Sequence, residues 1–241
     1  MNVLDLFAGL GCFSLGLERA GMRAAAFCEN DDHCQRVIRR HWPDVPIYDD
    51  IRDLTGEIIR GDRLKIDVIT MGFPCQDISS SGPKTGIDGE RSGLWREGFR
   101  LVCEIRPQFV IVENSSEINV RGLGDLLGAL ASIRYDAEWA RISLLSIGAP
   151  HNRDRTYLVA YPAGERQQEQ GRYLKSLHSA PDAYREADRL VDAVQGKSLP
   201  FVCRGHDGAP EELERRLRAI GNSNGPQIPE MIGRAIMEAA A

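Results

Sequence analysis

Val3-Leu4-Asp5-Leu6-Phe7-Ala8-Gly9-Leu10-Gly11 opens the chain as a short apolar run that ends on a glycine-containing turn. The run has the length of a strand, and an amphipathic helical pattern begins directly after it. Glycines at such a junction allow a tight turn and let a ligand approach the backbone, while the helix N-terminus adds partial positive charge. A dinucleotide site begins in a similar way. Here, however, Ser14 replaces the third glycine of GxGxxG, and no group dedicated to a pyrophosphate follows.

Further short apolar runs alternate with helical patterns, which predicts a parallel sheet covered by helices. Residues 3–7, 24–27, 67–71, 109–112 and 156–160 read as strands. Leu94, Gly98, Leu101, Val102 and Ile105 fall at helical spacing, with Ser92 as N-cap, and so do Leu123, Leu126, Leu127 and Leu130. Both stripes read as core packing. The pattern decays after Pro162, and a final helix is expected over 229–240.

A chain of 241 residues can bury one substantial core. The expected division is a catalytic body over 1–162, a polar segment over 163–212 and a return to the body over 213–241. The longest apolar runs are too short to span a bilayer, and no basic leader precedes an apolar stretch, so a soluble, cytoplasmic protein is expected; a monomer is expected as well. Six cysteines contain no CxxC pair, which argues against a disulfide framework or structural zinc. Cys203 and His206 lack the second pair that a four-ligand metal site needs, so no metal is expected.

Several chemistry-bearing residues stand at the ends of the predicted strands. Glu29 closes the second, where a carboxylate can accept from both hydroxyls of a ribose; a solvated strand end is the plain alternative. Asp50-Ile51 offers one hydrogen bond and one apolar contact, although in isolation it reads as a turn. Gly72-Phe73-Pro74-Cys75-Gln76 follows the strand 67–71, at the edge where open α/β sheets keep their ligands. A thiol has an ordinary pKa of roughly 8.5, so Cys75 there needs a site that assists its ionisation before it can attack. Glu113-Asn114 brings a carboxyl group to the same edge. Arg153 and Arg155 alternate about Asp154 in an extended entry to the last strand, which places them on one side.

In order and spacing these segments resemble the DNA (cytosine-5) methyltransferase family, over residues 2–161 and again over 221–236. The resemblance implies a Rossmann-like class I S-adenosylmethionine-dependent methyltransferase sheet with helices on both faces and a small irregular target-recognition segment. Under it Asp5, Phe7, Ala8, Gly9 and Gly11 belong to the cofactor loop, Glu29 accepts the ribose and Asp50 and Ile51 contact the adenine. Phe73, Pro74, Asn222 and Ser223 complete the cofactor pocket. Cys75, Glu113, Arg153 and Arg155 match the catalytic positions. Ser115 stands where the family has valine, His151 where it has glutamine, and Asn224 where it has an apolar residue.

The resemblance further implies double-stranded DNA as partner, a flipped cytosine and a covalent adduct of Cys75 at ring carbon 6. The net charge of −5 disfavours a uniformly basic surface, yet residues 163–220 hold as many Lys and Arg as Asp and Glu. Arg166, Gln167, Gln168, Arg172 and Lys175 there can reach phosphates or base edges, or stay solvated. The loop 79–92 can fold over the base. Methylation of transfer RNA cytosine and a catalytically silent DNA-binding module are the other readings, and a nicotinamide oxidoreductase would give Cys75 no role.

Overall fold

The computed structural model describes residues 1–74, 92–143, 153–164, 172–175 and 225–240. Among the described residues seven strands form one sheet: β1 (Asn2–Leu6), β2 (Arg23–Cys28), β3 (Ile47–Tyr48), β4 (Val68–Met71), β5 (Phe109–Ser115), β6 (Tyr135–Ser143) and β7 (Asp154–Pro162). Their spatial order is β3-β2-β1-β4-β5-β7-β6. The first five pair in parallel, while β7 runs antiparallel to both β5 and β6. The chain order reverses at β1 and β4, so the carboxyl ends of these two strands open the crevice where such sheets receive ligands.

Eight α-helices flank the sheet among the described residues. They are α1 (Cys12–Arg19), α2 (Asp32–His41), α3 (Gly56–Gly61), α4 (Trp95–Ile105), α5 (Ile118–Arg121), α6 (Leu123–Ser132), α7 (Arg172–Lys175) and α8 (Gln227–Ala240). Alternation along the strands sends neighbours to opposite cores. Val3, Val68, Phe109 and Ile111 join Phe13 and Leu17 of α1 and Ile228, Ile232 and Ile236 of α8. Leu4, Leu6, Ile69, Met71, Val110 and Val112 join Leu101 and Val102 of α4 and Leu126 and Leu130 of α6. Among the described residues no helix is long and apolar enough to cross a membrane.

The structure departs from the pattern reading in three places. Strands β3 and β6 have no counterpart among the five predicted runs. Both lie at sheet edges, where burial is partial and an apolar run is not required; β6 carries Asp136, Glu138 and Arg141 along its length. The antiparallel β7 breaks the expected all-parallel pattern. Residues 92–94 form a 3-10 turn, so Leu94 rather than Ser92 takes the N-cap position of α4, with no side-chain cap bond.

Helix α7 lies within the polar segment yet packs on the main body. Its Tyr173 ring meets Phe109 and Tyr161 at centroid distances of 5.5 and 5.4 Å. Glu138 accepts from the backbone N–H groups of Tyr173 and Leu174 at 3.1 and 3.2 Å, which satisfies donors at the start of the helix.

Helices α1 and α8 approach closely because each contributes a glycine. A Cβ on Gly16 would stand 2.2 Å from the Pro226 carbonyl oxygen, and one on Gly233 would stand 2.7 Å from the Ala20 Cβ. Pro229 sits in the first turn of α8, where its missing N–H costs no helical bond. Gly16→Ala is expected to lower stability by about 1–3 kcal/mol through forced separation of the helices. Gly128→Ala, inside α6 where a Cβ meets nothing, should instead raise it by roughly 0.5–1 kcal/mol. Urea unfolding of both variants checks the opposite signs.

Candidate functional site

The loop after β1 is built from a run of left-handed backbone. Phe7, Gly9 and Gly11 have φ of 56°, 55° and 77°. Only the two glycines adopt this region without penalty, so Phe7 stores strain that its surroundings must hold. They do so through backbone bonds: Ala8 N–H donates to the Cys28 carbonyl at 3.2 Å and Gly11 N–H to the Ala8 carbonyl at 2.8 Å. Gly11 is the N-cap of α1 and has no side chain to cap with.

Asp5 replaces that missing cap from below. One carboxylate oxygen accepts from the Ser14 hydroxyl at 2.8 Å and the Ser14 N–H at 3.3 Å, and the other from the Thr70 hydroxyl at 2.7 Å. Asp5 is 1% exposed, so it stands beneath the loop and not on the cleft surface. Burial pushes its carboxyl up to about 6, against the three hydrogen bonds, with Glu29 adding to the rise. The position that would be the third glycine of a dinucleotide loop therefore supplies a hydroxyl to this carboxylate.

Glu29 holds the loop from the side. Its Oε2 accepts from Gly9 N–H at 2.7 Å and its Oε1 from Asp31 N–H at 2.8 Å. Burial raises its pKa. Gln35 of α2 donates to the Glu29 carbonyl at 2.6 Å and to Asp49 at 2.8 Å, which joins the end of β2 to the segment after β3. Asp50 pairs with Arg52, and hydrogen bonds from Arg52 hold its carboxyl down at about 2. Ile51 is 5% exposed.

A cleft runs between these elements, lined by Phe7, Cys28, Glu29, Asn30, Asp49, Asp50, Ile51, Arg52, Pro74 and Leu94. Its polar lining is rich in acceptors and its walls are apolar. Burial and the neighbouring carboxylates push the Cys28 thiol up to about 12, which disfavours its thiolate.

Glu113 lies near the end of β5 and is 8% exposed. Arg155 of β7 donates to its Oε1 at 2.8 Å. Burial raises the Glu113 pKa, while Arg155 and Arg153 oppose the rise. A Cβ on Gly72 would stand 3.6 Å from Glu113 Oε2 and 4.0 Å from the Phe7 carbonyl oxygen. The carboxyl group and the loop after β1 thus meet at the same turn. Asn114 donates to the Phe73 carbonyl at 3.0 Å and accepts from Ser115 N–H at 2.8 Å, which fixes Phe73-Pro74 against β5.

Phe7, Ala8, Gly9, Glu29, Asp50, Ile51, Phe73, Pro74, Glu113, Arg153 and Arg155 are therefore gathered at the carboxyl edge of β1, β2, β4 and β5, with Gly11 at the entry to α1. Cys75, Asn222 and Ser223 lie outside the described residues, as do His151, Asn224 and most of the polar segment. Ser14, Thr70, Gln35 and Arg100 were not legible as site residues. Thr70 acts on Asp5 and Arg100 on the carbonyls of Ile51 and Leu54, all far away in sequence, while Ser14 and Gln35 reach Asp5 and Glu29 only because a turn brings helix and strand end together.

Comparison with known proteins gives a consistent picture. The C-5 cytosine-specific DNA methylase family matches residues 1–206. The chain is 32% identical over 168 residues to the type II methyltransferase M2.BsuMI of Bacillus subtilis, covering 66% of this chain and 42% of that protein. It is 32% identical over 160 residues to the type II methyltransferase M.CviJI of Paramecium bursaria Chlorella virus IL3A, again covering 66% and 42%. The chain thus spans less than half the length of these relatives. The crystal structure of a protein encoded within an Escherichia coli prophage superposes over 99% of both chains. Its TM-score is 0.67 and its identity 21%, a likeness of fold.

Asp5 generates a pH signature. Its carboxyl binds a proton more tightly in the folded protein, near 6, than at the ordinary 3.8. The unfolded chain therefore holds fewer protons between these values, and stability falls as pH rises from about 4 to about 6. Urea midpoints at pH 4, 5, 6 and 7 should show this decline in the wild type relative to Asp5→Asn. A wild-type minus variant difference that is flat over that window contradicts the assignment.

Proposed function

The chain belongs to the C-5 cytosine-specific DNA methylase family, and from that premise we propose that it transfers a methyl group from S-adenosylmethionine to carbon 5 of cytosine in double-stranded DNA. The observation that carries this reading is the buried Glu113–Arg155 pair. It shares one sheet edge with an acceptor-lined cleft behind the loop after β1.

The cleft suits S-adenosylmethionine by chemistry. The ribose hydroxyls, adenine amino group and ammonium of that molecule are donors and its sulfonium is a cation, while the cleft presents Glu29, Asp49 and Asp50 between the apolar Phe7, Ile51, Pro74 and Leu94. In this reading Glu29 accepts from the ribose, Asp50 and Ile51 contact the adenine, and Phe7 to Gly11 carry the methionine end. When bound, the cofactor supplies an electrophilic methyl group.

The protein's own residues prepare the base to receive it. A target cytosine swings out of the duplex, at a cost of a few kcal/mol that contacts in the site offset. The Cys75 thiolate adds to ring carbon 6 and forms a carbon–sulfur bond. Glu113, whose protonated form burial favours, donates to ring nitrogen 3. Arg155 fixes the orientation of that carboxyl group. The electron pair released from the ring double bond then resides at carbon 5, which becomes the nucleophile. After carbon 5 is methylated, a water molecule takes its proton, which restores the ring double bond and expels the cysteine sulfur as thiolate, and nitrogen 3 returns its proton to Glu113.

Expression in a host lacking its own cytosine methylation, followed by bisulfite mapping, tests the reading; marks at carbon 5 within a defined sequence are expected. Cys75→Ser should abolish them. Glu113→Gln should lower kcat by about 10²–10⁴-fold with cofactor affinity retained, as for loss of a general acid. Labelled methyl transfer in vitro to transfer RNA but not to duplex DNA would overturn the substrate. Persistence of the marks in Cys75→Ser would overturn the nucleophile.

A further inference from the structure

Arg100, in the middle of α4, lies outside the motifs quoted above, yet it binds the wall of the cleft. Its Nη2 donates to the carbonyls of Ile51 at 3.0 Å and Leu54 at 2.9 Å. Its Nε donates to Glu97 at 2.8 Å and its Nη1 to Glu104 at 2.9 Å. Four directed bonds thus orient a guanidinium that is only partly exposed. Lysine, a point charge on a flexible stem, cannot reproduce the set.

These bonds join two segments that are far apart in sequence. Ile51 and Leu94 both line the cleft. Ile51 belongs to the turn 50–54, whereas Leu94 is the N-cap of α4. The junction is reinforced one turn further along α4, where Glu104 accepts from Gly56 N–H at 2.6 Å and so holds the start of α3 against the same helix. The turn and α4 also share an apolar core through Ile51, Leu54, Leu101 and Val102. Hydrogen bonds to carbonyls fix the distance between them.

We propose that Arg100 sets the separation of Ile51 from Leu94, and with it the width of the slot that receives the adenine ring. The inference rests on the reading that this cleft takes the nucleoside end of S-adenosylmethionine. Arg100 is a positioning residue: it acts on the ligand through the backbone carbonyls of the turn. Its chemical consequence is selectivity for an unsubstituted purine edge, because a rigid slot rejects a bulkier ring that a loosened one admits.

The experiment measures calorimetric affinities of wild type, Arg100→Met and Arg100→Lys for S-adenosylhomocysteine and for its N6-benzyl derivative. Loss of charge-assisted bonds to two carbonyls should weaken S-adenosylhomocysteine binding by about 10–100-fold in Arg100→Met, with Arg100→Lys intermediate. The preference for the unsubstituted ligand over the benzyl derivative should fall by about tenfold. General destabilisation would weaken both ligands alike and leave that ratio unmoved. If Arg100→Met does not fold, Arg100→Lys must still show the shift in the same direction. An unchanged ratio in a folded variant, with wild type binding normally, overturns the role of Arg100 and leaves the site reading intact. Failure of the wild type to bind S-adenosylhomocysteine overturns both.

Discussion

The carboxylate of Asp5 is the constraint on which this site is built. A buried charge is costly unless each of its oxygens finds donors, and here the donors come from two different elements. Ser14 reaches it from the first turn of α1 and Thr70 from β4. One side chain therefore ties together the strand that ends in the left-handed loop, the helix that follows it and the strand that leads to Gly72-Phe73-Pro74. The strained Phe7 and the bare Gly11 cap are tolerable because this anchor lies directly beneath them.

Around that anchor the charges are sorted. The cleft side carries Glu29, Asp49 and Asp50, which suits a cationic ligand rich in donors. The side towards β7 pairs the buried Glu113 with Arg155, and Arg153 adds to the field. The two carboxyl environments differ in kind. Asp50 is held ionised by a solvated arginine, whereas burial favours the neutral form of Glu113. One sheet edge thus places two acids in opposite environments, one favouring the anion and the other shifted by burial against the pull of its arginines.

The cleft walls depend on the helices behind them. Helix α4 backs the turn 50–54 through Arg100, and α8 seals the far side of α1 by the reciprocal glycine contacts. The final helix is thus part of the core that supports the first loop, although the two are separated by almost the whole chain. Both junctions rely on close approach rather than on area alone. They place the loop after β1 between fixed supports on either side.

Much of this was legible in the residues themselves. Strands β1, β2, β4, β5 and β7 announce themselves because a doubly covered strand must be apolar along its length. Their ends carry Glu29, Glu113 and the glycines, which stand out because each interrupts an apolar run at the edge where open α/β sheets receive ligands. The edge strands β3 and β6 were not legible, since partial burial imposes no such composition. Neither were the roles of Ser14, Thr70 and Arg100: hydroxyls and arginines are ordinary on helices and strands, and only the fold brings them to a carboxylate or a carbonyl. The sequence determined which side chains reach the sheet edge, because that follows from local periodicity. Tertiary structure decided which of them hold one another in place, because hydrogen bonds between residues dozens of positions apart depend on how the elements pack.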